Sequence, residues 1–446
     1  MSHQRTDPSL APGRPLPAMN LGTVAYIDCL IFCLFLAPTL VWKAGLFETV
    51  WCALQALPFL LLKLPITIIW DRGLPPFVGR RKRTIRWETE RGQRNQRHQQ
   101  LQQHPFSQRV TLFEDVVVRC IRYAFANVPP RIGRVFFARE VALPYLWFRL
   151  LRKGHFGSPI YWREHGDTGF RGIWVRKDPV KKPDLVLYYL HGGGFSMGSA
   201  HFYLEYLLTW LGLLSLAGYQ NAAIFALEYT LVPDAPFPAQ VRETWKGYEH
   251  VLDVTHNDPS VVCVSGDSAG ATLVLCLLLC LGNKRLAVPT IYGREELDRL
   301  LPPTPALAVL ISPWTMLVST RHRNTVSDYL DAQKLCQYGV QFAGSYASAA
   351  NPLASPGCCR DASWWKRASP KRGFVVTYGT QEVLAPVIED FVDTLREAEI
   401  AVESRAEPGG IHAWPVASLF LSSSHEGRLD GLRALTYKIR QRIPGS

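Results

Sequence analysis

The sequence predicts an α/β fold built on a mostly parallel sheet, and two observations lead to this prediction. Apolar runs of strand length recur at 172–175, 185–190, 222–227, 261–264, 307–311, 374–378 and 401–405. Between them lie stretches of helical periodicity, such as Val241, Trp245, Tyr248 and Val251, and Leu429, Leu432, Leu435 and Ile439. Strands this short and continuously apolar are typical of a sheet that helices cover on both faces.

Length and composition limit the kinds of protein this chain can be. Its 446 residues exceed the roughly 250–300 that one α/β domain needs. The net charge of +12 comes largely from 72–97, and no nucleic-acid-binding motif accompanies it, so we expect no nucleic-acid partner. The ten cysteines have neither disulfide-scaffold nor zinc-site spacing, so we expect free thiols and no metal.

A membrane-anchoring helical region over 21–70 is predicted to follow a polar tail over 1–20. Two apolar stretches, 22–42 and 49–70, each have about the 20 residues that cross a bilayer. Three arrangements stay open: two spans forming a hairpin, one span with an interfacial companion, or a re-entrant pair kinked at prolines. The protein is therefore expected at a membrane, in the endoplasmic reticulum or a related endomembrane.

A basic and Gln-rich linker, 71–109, comes next. Its cationic cluster directly follows the apolar region, as in segments that meet anionic lipid headgroups or set topology. The positive-inside rule favours a cytosolic position for the rest of the chain, although the side stays open. Residues 110–446 are predicted to form the α/β domain, and the apolar, aromatic stretch 110–151 is predicted to form helices that cover a site.

The segment Gly266-Asp267-Ser268-Ala269-Gly270 follows a predicted strand and precedes a predicted helix. Gly-x-Ser-x-Gly at such a junction makes a cramped turn, whose small flanking residues leave the serine strained and exposed at the sheet edge. Ser268 is therefore the candidate nucleophile.

The segment His191-Gly192-Gly193-Gly194 follows another predicted strand. Three consecutive glycines let the backbone approach a substrate and direct several N–H groups at one point, as an oxyanion hole requires. We expect its donors to be the amides of Gly193, Gly194 and Ala269, and we expect His191 to shape the loop.

A serine nucleophile needs a base, and the base needs an orienting carboxylate. Glu382 follows the predicted strand at 374–378, and His412 lies in a glycine-containing loop after the strand at 401–405. They are the candidate acid and base. The alternatives are acids in a nearby helical stretch and histidines in other contexts: Asp390, Glu389, His322 and His425.

These motifs together resemble the hormone-sensitive-lipase-like branch of the α/β-hydrolase fold, which includes arylacetamide deacetylases and steryl acetyl hydrolases. The resemblance covers about 185–415 and rests on HGGGF at 191–195, GDSAG at 266–270 and EYTLVPDAPFPA at 228–239. It implies an α/β-hydrolase fold with a helical cap, built from about 110–151 and 316–370. Glu382 departs from the aspartate usual in that family.

The resemblance implies a serine carboxylic ester hydrolase that needs no cofactor. An anchored enzyme of this kind is expected to act on apolar esters such as sterol esters, acylglycerols or acetylated metabolites. Two alternatives stay open: a non-catalytic small-molecule-binding member of the same fold, and an amidase. Binders of this kind typically lack the catalytic histidine, and this chain has His412.

Overall fold

The computed structural model describes residues 21–72, 110–155, 161–283 and 301–445. These residues form an eight-stranded sheet with the order β1-β2-β4-β3-β5-β6-β7-β8. The strands are β1 (Trp162–Asp167), β2 (Phe170–Arg176), β3 (Leu185–Leu190), β4 (Ala222–Leu227), β5 (Val262–Asp267), β6 (Leu307–Ile311), β7 (Phe374–Gly379) and β8 (Val402–Glu407). Strand β2 is antiparallel to both neighbours and the other pairings are parallel, which confirms the predicted mostly parallel sheet.

The helices in the described residues alternate with these strands and also precede them. They are α1 (Tyr26–Ala44), α2 (Leu46–Pro58), α3 (Leu64–Arg72), α4 (Leu112–Asn127), α5 (Pro130–Phe136), α6 (Arg139–Arg152), α7 (Leu204–Leu216), α8 (Ala239–Val254), α9 (Ala269–Leu281), α10 (Ala332–Ala343), α11 (Ala362–Ala368), α12 (Ala385–Glu397), α13 (Trp414–Leu421) and α14 (His425–Arg442). Short 3₁₀ turns occupy Pro259–Val261, Ser348–Ala350 and Pro356–Cys358.

Both faces of the sheet are buried, as the continuous apolar runs predict. In β3, Val186 and Tyr188 point to one face, where they join a core with α8, α9, α11 and α12. Leu187 and Tyr189 point to the other face and join a core with α6, α7, α13 and α14. Side chains alternate along a strand, so a strand covered on both sides has no polar face to show in its sequence.

The two stretches predicted to cover the site contain helices that meet. Helices α4, α5 and α6 lie in the first stretch, and α10 and α11 lie in the second. The rings of Phe125 on α4 and Tyr338 on α10 pack edge to face with centroids 5.3 Å apart. This contact lies over the carboxyl-terminal edge of the sheet, because an added Cβ at Gly194 would be 3.6 Å from Tyr338.

The two N-terminal apolar stretches are helical. Helix α1 has 19 residues, and α2, a π-helical turn at Phe59–Lys63 and α3 form one helix of 27 residues. Both are long and apolar enough to cross a membrane by length and composition. The π-turn follows Pro58, whose missing N–H disturbs the regular hydrogen-bond ladder. The predicted polar tail 1–20 and residues 73–109 of the predicted linker lie outside the described residues.

Candidate active site

Ser268 alone forms the turn between β5 and α9. Its φ of +52° lies in the left-handed region, which costs energy for a residue with a Cβ. A Cβ added at Gly266 would lie 2.7 Å from the carbonyl carbon of Gly270, and one added at Gly270 would lie 2.1 Å from the carbonyl oxygen of Leu190. Only glycine fits at either position, so these two glycines allow the turn that presents Ser268.

The glycine loop after β3 is shaped by the same kind of crowding. Gly193 and Gly194 have φ values of +118° and +60°, and a Cβ at Gly193 would lie 2.1 Å from the carbonyl oxygen of Met197. Within the described residues, no backbone–backbone hydrogen bond uses the amide of Gly193, Gly194 or Ala269 as donor. These three N–H groups are therefore available to a developing negative charge.

Asp267 ties the glycine loop to the serine turn. Its Oδ1 accepts hydrogen bonds from the Gly192 amide at 2.9 Å and the Tyr189 hydroxyl at 2.6 Å, and its Oδ2 accepts one from the Tyr203 hydroxyl at 2.8 Å. Burial raises the pKa of Asp267, and the two tyrosine hydroxyls oppose that rise. This carboxylate therefore fixes the spacing between the loop and the residue that follows it, Ser268.

His191 packs within the loop. Its Nδ1 lies 2.8 Å from the carbonyl oxygen of Gly192, and its ring stacks on Tyr229 with centroids 4.3 Å apart. The Tyr229 hydroxyl donates to the carbonyl oxygen of His191 at 2.8 Å. Burial lowers the pKa of His191 to about 4, so the imidazole is neutral at physiological pH. These contacts suit a residue that shapes the loop.

Glu382 lies in the turn after β7, facing His412. Its Oε2 accepts hydrogen bonds from the Ser312 hydroxyl at 2.6 Å and the Gly379 amide at 3.1 Å. The same oxygen lies 3.8 Å from His412 Nδ1, a distance at which the contact is electrostatic and longer than a hydrogen bond. Both residues are buried, each with an exposed fraction of 2%.

The buried pair shifts the pKa values of both groups. Burial raises the pKa of Glu382, and His412 and Ser312 oppose that rise. Burial alone would lower the pKa of His412, but the Glu382 carboxylate outweighs it, helped by Asp328 and Asp267, so the pKa of His412 lies above its ordinary value. An imidazole whose protonated form is stabilised in this way is suited to take a proton from a nearby hydroxyl.

The loop after β8 holds His412 through its backbone. The His412 amide donates to Asp328 Oδ1 at 3.0 Å, and the Tyr329 hydroxyl donates to the His412 carbonyl at 3.1 Å. The next amide, that of Ala413, donates to the Ser312 hydroxyl oxygen at 2.9 Å. The side chain of His412 is therefore carried by a backbone fixed on both sides.

Ser312 links the serine turn to the Glu382–His412 pair. The Ser268 amide donates to the carbonyl oxygen of Ile311 at 3.0 Å, and Ser312 is the next residue, just after β6. Its hydroxyl contacts both Glu382 and the residue after His412. The three residues predicted as nucleophile, acid and base are thus brought to one edge of the sheet.

The sequence did not predict two residues of this arrangement, Ser312 and Asp328. Ser312 follows a predicted strand, so its position at the carboxyl edge was a usable signal. Asp328 lies in the stretch predicted to cover the site, and nothing in its local sequence marks it.

The alternative candidates have other partners or positions. Asp390 on α12 forms ion pairs with Arg321 at 2.7 Å and Arg360 at 2.6 Å. Glu389 accepts a hydrogen bond from the Tyr378 hydroxyl at 3.3 Å. His322 is buried in the stretch before α10, where burial lowers its pKa to about 4, and His425 begins α14.

Comparison with known proteins identifies relatives of this arrangement. A profile of the α/β hydrolase fold family matches residues 187–416. An acetyl-hydrolase of Streptomyces hygroscopicus is 32% identical over 41% of this chain and 54% of its own length. The neutral cholesterol ester hydrolase 1 of Rattus norvegicus is 35% identical over 31% of this chain and 34% of its own. The matched part thus spans about half the length of these relatives or less.

A solved structure shows the same fold. The crystal structure of an esterase from the bacterial hormone-sensitive lipase family superposes with a TM-score of 0.55 at 22% identity. The superposition covers 75% of this chain and 99% of that esterase. At this identity the likeness is one of fold.

Proposed function

Because the chain belongs to the α/β-hydrolase fold family, in its hormone-sensitive-lipase-like branch, we propose that it is a membrane-anchored serine hydrolase of carboxylic esters. The observation that carries the proposal is the joint placement of three parts at one sheet edge. These are a strained Ser268, a glycine loop in which the amides of Gly193 and Gly194 donate no backbone–backbone hydrogen bond within the described residues, and the buried His412–Glu382 pair. A protein that only bound a ligand would need no such combination.

The proposed reaction is acyl transfer in two stages. His412 accepts the proton of the Ser268 hydroxyl as the serine oxygen attacks the ester carbonyl, and the resulting oxyanion is stabilised by the amides of Gly193, Gly194 and Ala269. Protonated His412, stabilised by Glu382, then donates that proton to the leaving alcohol. In the second stage His412 accepts a proton from water as the water oxygen attacks the acyl-enzyme carbonyl. As the bond to Ser268 Oγ breaks, His412 returns that proton to Oγ, which releases the acid product and restores free Ser268.

The proposed substrates are apolar esters, such as sterol esters, acylglycerols or acetylated metabolites. Two relatives named for their substrates point in that direction: the acetyl-hydrolase and the neutral cholesterol ester hydrolase. The two apolar N-terminal helices add a reason, because a membrane-anchored enzyme meets esters that partition into lipid. We propose an endomembrane location on the same grounds.

Labelling with a fluorophosphonate and hydrolysis of short and medium p-nitrophenyl esters test the proposal. Ser268→Ala should abolish both signals. Ser265→Ala is the matched control, because Ser265 lies on β5 three residues before Ser268, is fully buried and has a hydroxyl without a hydrogen-bond partner in the described structure. Labelling that persists in Ser268→Ala would refute the assignment. A folded wild-type protein that neither labels nor turns over would favour the small-molecule binder.

A further inference from the structure

Ion pairs join helix α1 to α6 near both of its ends. Near its start, Asp28 Oδ2 lies 3.1 Å from Arg149 Nη1 and 2.6 Å from Arg152 Nη2. Near its end, Lys43 Nζ lies 2.8 Å from Glu140 Oε2. From 28 to 43 the helix rises about 22 Å, while its partners run from 152 back to 140. The two helices therefore lie antiparallel over nearly the full length of α1.

The attachment at Asp28 belongs to a buried cluster of charges. Asp28 and Arg149 are both fully buried. Arg149 also pairs with Glu205 on α7 at 2.9 Å, and Glu205 pairs with Arg428 on α14 at 3.1 Å. A buried ion whose partner is removed loses the interaction that offsets its desolvation. Helix α1 therefore cannot leave α6 without exposing or isolating a charge in the core of the domain.

The second apolar helix, which consists of α2, the π-turn and α3, also contacts neighbouring helices at its start and in its middle. Glu48 on α2 lies 3.5 Å from Arg131 on α5. Farther along, the Tyr123 hydroxyl on α4 donates to the carbonyl oxygen of Gln55 at 2.9 Å. The Tyr123 ring stacks on Phe59 with centroids 4.2 Å apart. These contacts hold α2 and the π-turn against the helices that precede the sheet.

The end of the second helix is held by two crossed ion pairs. Arg72 Nε lies 3.0 Å from Asp115 Oδ2, and Arg119 Nη2 lies 2.8 Å from Asp71 Oδ2. Arg119 also pairs with Asp115 at 2.7 Å, which joins the four residues into one network. The second helix is thus attached to α5 and α4 from its first turn to its last.

The outer sides of both helices remain exposed and almost entirely apolar. The exposed large hydrophobic residues of these helices are Tyr26, Ile27, Leu30, Leu34, Val41, Trp42, Leu46, Phe47, Val50, Trp51, Leu54, Leu57, Leu60, Leu61, Leu62, Ile66, Ile69 and Trp70. We call this surface the apolar platform. It is larger than the apolar patches that water-facing surfaces of monomeric proteins normally show.

Lipid is the occupant that fits the platform. Tryptophans lie near helix ends at Trp42 and Trp70, as in aromatic belts at membrane interfaces. Lys63, an exposed cation within the platform, has a stem long enough to reach headgroups. The chain that follows Arg72 carries the basic cluster Arg80, Arg81, Lys82, Arg83, Arg86, Arg91 and Arg94, which complements anionic headgroups.

We propose that α1 and the α2–α3 helix lie in the plane of one membrane leaflet and do not cross the bilayer. Because both helices are attached along their lengths to helices that carry charged residues, a crossing orientation would draw those charges into the hydrocarbon. In-plane binding leaves every ion pair intact and inserts only the platform. This proposal selects against the spanning hairpin, and it does not depend on the proposed catalytic function.

Glycosylation mapping in microsomes tests the orientation. The chain has no Asn-x-Ser/Thr sequon, so acceptor sequons with flexible linkers are introduced singly into the tail 1–20, the turn at Gly45 and the exposed loop at Val180. If both helices lie in the plane of one leaflet, all three sites are on the same side of the membrane and have the same glycosylation state. Modification that differs at Gly45 from the other two would establish a spanning hairpin. Modification that differs at the tail alone would establish a single span by α1, and modification that differs at Val180 alone would establish a single span by the second helix. As a positive control, each variant is also fused to a cleavable signal peptide, which shows that each introduced sequon can be glycosylated when it reaches the lumen.

Liposome flotation tests the platform itself, with vesicles of phosphatidylcholine and phosphatidylserine. Phe47→Glu combined with Leu61→Glu should reduce the bound fraction at least tenfold. The control, Val180→Glu combined with Tyr437→Glu, alters side chains that are also exposed but lie outside the platform, and it should bind as wild type. Equal loss in both double variants, or none in the platform variant, would overturn the proposal.

Discussion

The carboxylate of Asp328 accepts a hydrogen bond from the backbone amide of His412, with Oδ1 and N 3.0 Å apart. Its second oxygen accepts one from the Val383 amide at 2.8 Å. Asp328 therefore joins the loop that carries His412 to the turn that carries Glu382. Its own carbonyl oxygen accepts a hydrogen bond from Arg122 Nε on α4 at 2.6 Å, so α4 supports the segment that joins these two loops.

Asp328→Asn should lower kcat at least tenfold with little change in KM. Asparagine has one acceptor oxygen where aspartate has two. Its NH₂ group would face one of the two backbone N–H groups that now donate to Asp328, and that N–H would lose its hydrogen bond. The pH profile separates positioning from general damage, because loss of a nearby negative charge should also lower the pKa of His412. Asp331→Asn is the control: Asp331 caps α10 through the Lys334 amide, and asparagine caps a helix about as well as aspartate, so both stability and kcat should be preserved. Equal kcat in both variants would refute the positioning role.

The pH dependence of kcat/KM follows from the pKa of His412. The proposed base, His412, works only when neutral, so activity should fall as the pH is lowered through a value above the ordinary histidine pKa of about 6.5. Glu382→Gln removes the charge that raises this pKa while burial still lowers it. The acid limb should therefore move to lower pH, and kcat should fall by two or more orders of magnitude. An unchanged limb in Glu382→Gln would point to another acid.

The sequence predicts the strands that are buried on both faces, because the residues of such strands are continuously apolar. The bounds of β3, β4 and β6 coincide with the apolar runs at 185–190, 222–227 and 307–311, since each strand is covered on both faces. Strand β1 was missed because its sequence, WREHGD, belongs to a largely exposed edge with no apolar run. An edge strand paired on one side is defined by its partner and has little sequence signal of its own.

The candidate site was predictable only as far as its local motifs reach. Ser268 and the glycine loop have sequence constraints that follow from crowding in a short turn. Asp328 has none, because it lies 84 positions from the amide that it binds. The docking of α1 depends likewise on a pair 121 positions apart, Asp28 and Arg149. Contacts of this kind arise from tertiary packing, and a single sequence contains no periodicity that marks them.

Gly270→Ala should destabilise the fold and abolish labelling of Ser268. The added methyl would lie 2.1 Å from the carbonyl oxygen of Leu190, a backbone atom of a central strand that cannot move aside. We expect a loss of about 3 kcal/mol or more in the free energy of unfolding. Gly133→Ala on α5 is the control, because its nearest neighbour is a methionine methyl at 3.6 Å. It should be neutral or slightly stabilising, since alanine favours a helix. Equal melting temperatures for both variants would contradict the crowding argument.

Tyr203→Phe should destabilise the protein more at pH 8 than at pH 5. The Tyr203 hydroxyl opposes the rise that burial causes in the pKa of Asp267, so its removal raises that pKa further. A carboxyl with a raised pKa in the folded state contributes stability below its unfolded pKa and loses it as the pH rises through the folded value. The variant should therefore lose about 1–3 kcal/mol at pH 8 and less at pH 5. Tyr338→Phe is the control, since the Tyr338 hydroxyl has no hydrogen-bond partner within the described residues. Thermal unfolding at the two pH values measures the difference, and a Tyr203→Phe loss independent of pH would show that Asp267 does not titrate through this contact.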